Sequence, residues 1–75
     1  KLYPEIASNM INLSINTEGK FEISIIDILG NNVIEPKTIQ GRYYEQINIE
    51  TLCTGIYFIY IKSPNYQKVF KFIKE

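Results

Sequence analysis

The sequence contains no histidine and no tryptophan, and it has one cysteine and one aspartate among 75 residues. Without histidine the chain lacks the commonest general base and metal ligand, and Cys53 has no partner for a nucleophilic dyad. A lone cysteine excludes an intrachain disulfide and a cysteine-rich zinc site, and we expect Cys53 to be buried as a small hydrophobe. A single aspartate leaves no Asp-x-Asp calcium loop. We therefore expect no enzyme activity, no metal and no cofactor.

Neither sign of charge dominates, because eight basic residues balance eight acidic ones. This balance argues against nucleic acid as a partner. No apolar run approaches the roughly 18 to 20 residues that a membrane span needs, so we expect no membrane-spanning segment. Residues 1–4 do not resemble a signal peptide. We expect that the sequence begins within a longer chain.

Turn-forming residues recur at regular intervals along a chain that is 45% hydrophobic and 13% aromatic. Glycine supplies positive φ and asparagine tolerates it, so these positions predict turns. They are Thr17–Lys20, Gly30–Asn32, Gln40–Arg42, Thr54–Gly55 and Pro64–Asn65. About seven short runs of strand length separate them, which predicts an all-β, Ig-like antiparallel sandwich.

Apolar and polar residues alternate within these runs, as in strands with one buried face. The inward residues are predicted to be Ile11, Leu13 and Ile15 in one strand and Phe21, Ile23 and Ile25 in the next. Pro36 donates no ladder hydrogen bond, which predicts an edge or bulged strand.

The run at residues 55–62 is apolar at successive positions and is therefore predicted to be a central strand covered on both faces. We expect Ile23, Ile25, Phe58, Ile59 and Ile61 to be among the most buried residues. The last segment, residues 66–75, fits a strand better than the alternative of a short amphipathic helix.

Several motifs occur in a fixed order along the whole chain. The segment Tyr3-Pro4-Glu5-Ile6-Ala7-Ser8-Asn9 precedes a strand that carries Ile11, Leu13 and Ile15. The stretch "IIDILGNNV" contains Asp27, Gly30 and Val33, and Leu52, Gly55 and Tyr57 form "Leu-x-x-Gly-x-Tyr" before a lysine-rich apolar ending. In these motifs, over essentially all 75 residues, the chain resembles the C-terminal sorting domain of the type IX secretion system (Por secretion system) of Bacteroidetes. One departure is that Glu5 and Ile6 replace the family's second Asn-Pro.

The resemblance implies a secretion signal excised from a larger cargo protein, in which residues 1–75 form one sorting domain. The implied partners are the upstream cargo domain and the type IX machinery, including an outer-membrane translocon and a cell-surface sortase that usually removes the domain in this family. The cargo would pass through the periplasm and end at the cell surface or be secreted. Asp27, Gly30 and Pro4 would be structural motif residues.

Asp27 has the inward parity of its strand, and we expect its carboxylate to accept backbone N–H groups of the following turn. Gly55 is expected to permit a tight turn or a close backbone approach. Tyr57 is expected to bury its ring while its hydroxyl finds a partner.

The candidate recognition residues include lysines of the C-terminal tail. Residues 62–75 hold four lysines against one carboxylate, whereas residues 1–61 hold four basic residues against seven carboxylates. The lysines alternatively serve only to block edge-to-edge strand pairing. Together with the turn residues, the candidates are Lys68, Lys71, Lys74, Leu52, Gly55 and Tyr57.

Two other functions remain open at this point. An Ig-like accessory module would bind a polysaccharide or an adhesive ligand, and Tyr43, Tyr44 and Tyr66 are its candidate platform. A structural spacer would need no partner.

Overall fold

The computed structural model describes residues 2–3, 5–16, 19–64 and 66–75, with Tyr3 described by its backbone only. These residues form eight strands and no helix, whereas the sequence predicts about seven strands. In chain order they are β1 Leu2–Tyr3, β2 Ile6–Ala7, β3 Met10–Ile15, β4 Lys20–Asp27, β5 Asn32–Gln40, β6 Tyr43–Asn48, β7 Gly55–Ser63 and β8 Tyr66–Lys74.

The strands form two sheets that share one apolar core. The three-stranded sheet has the order β1-β3-β6, and the five-stranded sheet has the order β2-β8-β7-β4-β5. The predicted all-β sandwich is confirmed, and so are the central position of β7 and the strand conformation of the last segment. The helical alternative for that segment is wrong.

One pairing departs from the antiparallel pattern. The short strand β2 runs parallel to β8, with Ile6 beside Ile73 and Ala7 beside Lys74. The Ile73 N–H donates to the Glu5 carbonyl at 2.8 Å, and the Glu75 N–H donates to the Ala7 carbonyl at 2.9 Å. Because β1 belongs to the other sheet, the N-terminal segment of the chain contacts both sheets.

Strand β5 confirms the expectation from Pro36. It lies at the edge of its sheet, and Ile23 and Ile25 of β4 pair with Lys37 and Ile34. Between these two pairs the chain advances by three residues on β5 but by only two on β4, which is a β-bulge. Pro36 lies within the bulge, where its missing N–H costs no hydrogen bond between the strands.

The core follows the predicted alternation in β3 and β4, whose six inward residues are all buried. They pack with Tyr57, Ile59 and Ile61 of β7 and with Phe72 of β8. Burial of these side chains is the main favourable term for a chain this small.

The prediction that β7 is covered on both faces is wrong. Ile59 and Ile61 are buried, but Phe58 and Tyr60 are only half-buried and Ile56 is 37% exposed. The three-stranded sheet covers one face of the five-stranded sheet, so the opposite face of β7 points away from the core. Within the described residues, no helix is both long and apolar enough to cross a membrane.

The position of Ile59 predicts a large loss of stability on truncation. Ile59 has 0% of its surface exposed and pairs with Ile25 and Phe70 on its two sides. We expect Ile59→Ala to lower the free energy of unfolding by about 2 to 5 kcal/mol, measured by denaturant titration. Ile56→Ala, on the outward face of the same strand, is the matched control and should cost much less; equal losses would contradict the description of β7.

Candidate functional site

The turn after β4 is fixed by the carboxylate of Asp27. One oxygen, Oδ1, accepts the backbone N–H of Leu29 and that of Asn31, both at 2.9 Å. The Asp27 main chain adds two more bonds, from Gly30 N–H to its carbonyl and from its own N–H to the Asn31 carbonyl, both at 3.0 Å. The expected hydrogen bonding by Asp27 is confirmed.

These bonds hold the pKa of Asp27 below its ordinary value of 3.8, chiefly through the Asn31 N–H. Such bonds favour the charged carboxylate over the protonated acid. Gly30 has a φ of +88°, which explains the need for glycine in this turn. The side chains of Ile28 and Leu29, 69% and 82% exposed, project at the tip.

A second turn leads from Ile49 into β7 and depends on Tyr57. The Leu52 N–H donates to the Ile49 carbonyl at 3.0 Å. The Tyr57 ring is buried and stacks on Phe72 with 5.5 Å between ring centroids, and its hydroxyl donates to the Cys53 carbonyl at 2.6 Å. The expectation for Tyr57 is confirmed. Burial of the ring is the main cause that raises the pKa of Tyr57, with smaller contributions from the nearby Cys53 and Asp27.

Cys53 differs from the expectation of burial, and one of the two roles expected of Gly55, a close backbone approach, is not observed. A Cβ on Gly55 would meet no atom within 4 Å, so the chain makes no close backbone approach there. Cys53 is exposed rather than buried, because it lies in the loop ahead of β7 with its carbonyl, not its thiol, turned to Tyr57.

The motif residues of both turns lie at one end of the sandwich. Asp27 pairs with Tyr57 across β4 and β7, and Gly55 pairs with Lys74 across β7 and β8. The turn that contains Gly30, the Leu52–Tyr57 segment and the end of β8 therefore meet there. We call this region the motif end.

The three tail lysines do not form one surface. Lys68 and Lys74 share the parity of the buried Phe72, whereas Lys71 points to the opposite face of β8. Lys68 and Lys74 lie six residues apart, which is roughly 20 Å along a strand. Lys74 is only 8% exposed, and its Nζ donates to the Glu75 carbonyl at 3.0 Å. Spacing by three residues groups side chains on a helix but separates them on a strand.

Other candidate residues are also dispersed. Pro4 lies outside the described residues. Tyr43 and Tyr44 are neighbours on β6 and point to opposite faces, while Tyr66 packs edge-on against Phe21 at 5.9 Å between centroids. The three tyrosines therefore form no coplanar platform for a sugar. No group of three or more Cys, Asp or Glu side chains suited to a metal ion occurs in the part of the chain that the structure describes.

Sequence reasoning missed one feature of the site region. Ile6, Ile73 and Ile56 stand side by side on β2, β8 and β7, on the face directed away from the core. The only sequence signal for this row is the presence of apolar residues at both parities of β7 and β8. Its alignment depends on a contact between residues 67 positions apart, which local patterns do not reveal.

The lowered pKa of Asp27 predicts a dependence of stability on pH. A carboxyl whose pKa is lower in the folded state stabilises the fold above its unfolded value, here 3.8, and this contribution disappears as the pH falls through the folded pKa. The melting temperature of the wild type should therefore drop more steeply between pH 4 and 2 than that of Asp27→Asn. Glu22→Gln, which removes an exposed carboxylate of the same sheet, is the control; an unchanged slope in Asp27→Asn would contradict the role of the carboxylate.

Comparison with known proteins agrees with the motifs. The model of the family described as secretion system C-terminal sorting domain matches residues 1–75, and the chain belongs to this family. No curated protein and no solved structure matches it significantly. The chain is thus a sorting domain of type IX secretion, which implies contact with that machinery and export to the cell surface or the extracellular space.

Proposed function

We propose that this sorting domain is the carboxy-terminal address of a larger cargo protein, which the type IX translocon reads as it carries the cargo across the outer membrane. A cell-surface sortase then removes residues 1–75 as one unit and anchors the cargo to lipopolysaccharide or releases it. The domain acts by being recognised. The observation that carries this proposal is the convergence of the family's Asp27–Gly30 and Leu52–Tyr57 motifs at the motif end.

The motif end is suited to recognition because its backbone is held rigid before any partner arrives. Four hydrogen bonds fix the Asp27 turn, and the Tyr57 hydroxyl fixes the loop at Cys53. A surface that is already ordered loses less conformational entropy on binding. In this proposal Asp27 and Tyr57 position the two turns, while the exposed loop residues between Leu52 and Gly55 contact the partner.

The lysines of the tail contribute to recognition individually, because they do not form a single basic patch. Lys68 and Lys71 are exposed, on opposite faces of β8, and Lys74 is held against the chain terminus. Of the three candidate lysines, Lys68 and Lys71 are therefore the two that a partner can reach, and they supply charge for steering rather than for stability.

The proposal is tested by fusing residues 1–75 to the C-terminus of a periplasmic reporter in a host with type IX secretion. The fusion should appear outside the cells, whereas a strain that lacks the translocon should retain it in the periplasm. The reporter without residues 1–75 is the control. Retention of the fusion in the intact strain, or its export from the translocon-deficient strain, would contradict the proposed function.

Charge reversal at the two reachable lysines should impair export without unfolding the domain. We expect Lys68→Glu with Lys71→Glu to reduce secretion of the fusion strongly, while the melting temperature changes little because exposed lysines contribute little stability. Lys20→Glu with Arg42→Glu makes the same change of charge at two exposed positions outside the tail and should leave export intact. Normal export of the folded Lys68 and Lys71 variant would mean that these lysines only prevent strand pairing between molecules.

A further inference from the structure

The five-stranded sheet exposes an apolar surface on the face turned away from the core. We call this surface the outer patch and define it as Ile6, Ile26, Ile56, Phe58, Val69 and Ile73. Ile6, Val69 and Ile56 are 54%, 43% and 37% exposed, and the other three side chains are half-buried. All six belong to neighbouring strands of one sheet, so the surface is continuous.

Strand register aligns the outer patch in rows across the sheet. Ile6, Ile73 and Ile56 form the row nearest the motif end. Lys71, Phe58 and Ile26 form the next row, and Val69 and Tyr60 begin the third. Side chains directly opposite each other on paired strands lie about 4.5 to 5.5 Å apart, so adjacent members of each row touch or nearly touch.

The outer face of the three-stranded sheet has a different character. Its outward positions on β3 and β6 are Met10, Asn12, Ser14, Tyr44, Gln46 and Asn48, which are mostly polar. The three-stranded sheet thus has the polar outer face that is usual in a sandwich. The five-stranded sheet exposes isoleucine, valine and phenylalanine to solvent on its outer face. Contiguous exposed apolar surfaces of this kind mark interaction sites.

Lys71 is the charge within this surface. It stands opposite Phe58, and among the described residues it makes no ion pair. Lys62 lies over the Tyr60 ring at 5.8 Å, and Glu22 stands opposite Lys62 rather than near Lys71. The outer patch itself contains no carboxylate, so no side chain of the patch neutralises the ammonium of Lys71.

We infer that the outer patch docks a protein of the export machinery that presents apolar side chains around a carboxylate placed against Lys71. This inference rests on the proposed function and assigns the partner a surface on this domain. A second copy of the chain fits less well, because a two-fold contact would bring Lys71 to a surface that again offers lysine and no carboxylate.

The inference is tested in the cells that export the reporter fusion. A photoreactive benzophenone analogue of phenylalanine replaces Phe58 in one fusion and Gln46, on the polar outer face, in the control. We expect irradiation to join the position-58 fusion to a protein of the type IX machinery, identified by mass spectrometry, and the position-46 fusion to give at least about tenfold less of this product. Lys71→Glu should lower the position-58 yield about tenfold, because the reversed charge repels a carboxylate, whereas Lys71→Arg, which keeps the positive charge, should keep the yield within about twofold.

The possible results separate the inference from the function on which it rests. Failure of the unmodified fusion to leave the cell contradicts the proposed function. If that fusion is exported, the inference alone is overturned by any of three results: equal products from positions 58 and 46, a product with a second copy of the fusion or with lipid, or equal yields from Lys71→Glu and Lys71→Arg.

Discussion

The inward face of β7 is the constraint on which the rest of the structure depends. Ile59 and Ile61 pack against the three-stranded sheet, while the same strand pairs with β4 on one side and β8 on the other. These pairings fix the ends of all three strands relative to one another. Asp27 therefore faces Tyr57, and Gly55 faces Lys74, without any contact dedicated to joining the two motifs. The motif end is a consequence of strand register, and a loss of packing at Ile59 would disturb it from a distance.

The same arrangement explains why the two faces of the five-stranded sheet differ. A sheet of three strands cannot cover both faces of its partner, so one set of apolar side chains on β7 and β8 forms the core and the other remains in water. Retaining apolar residues there works against solubility, and a surface that binds a partner gives them a use.

Sequence reasoning succeeds where the information is local. The two-residue alternation in β3 and β4, the turn at Gly30 and the hydrogen bonds of Asp27 each depend on residues close in the chain. It fails where the answer depends on which surfaces meet. Alternation divides β7 into two apolar faces but does not show that only one of them is covered, so the sequence wrongly predicts that Phe58 lies in the core. The lysines at 68, 71 and 74 look like a group in the sequence, yet a strand sends Lys71 to the opposite face from the other two. The exposure of Cys53 depends on the conformation of the loop ahead of β7, which the sequence does not reveal.

The parallel pairing of β2 with β8 has a mechanical consequence. Hydrogen bonds from Ile73 to Glu5 and from Glu75 to Ala7 lie across the direction of both strands. A pull along β2 therefore loads the two bonds together in shear, instead of opening them one after the other. Because β1 is bonded to the opposite sheet, tension on the N-terminal segment is divided between both sheets before it reaches the core. A drag on any preceding domain thus reaches β3 through β1 and β8 through β2, so one strand of each sheet carries the load.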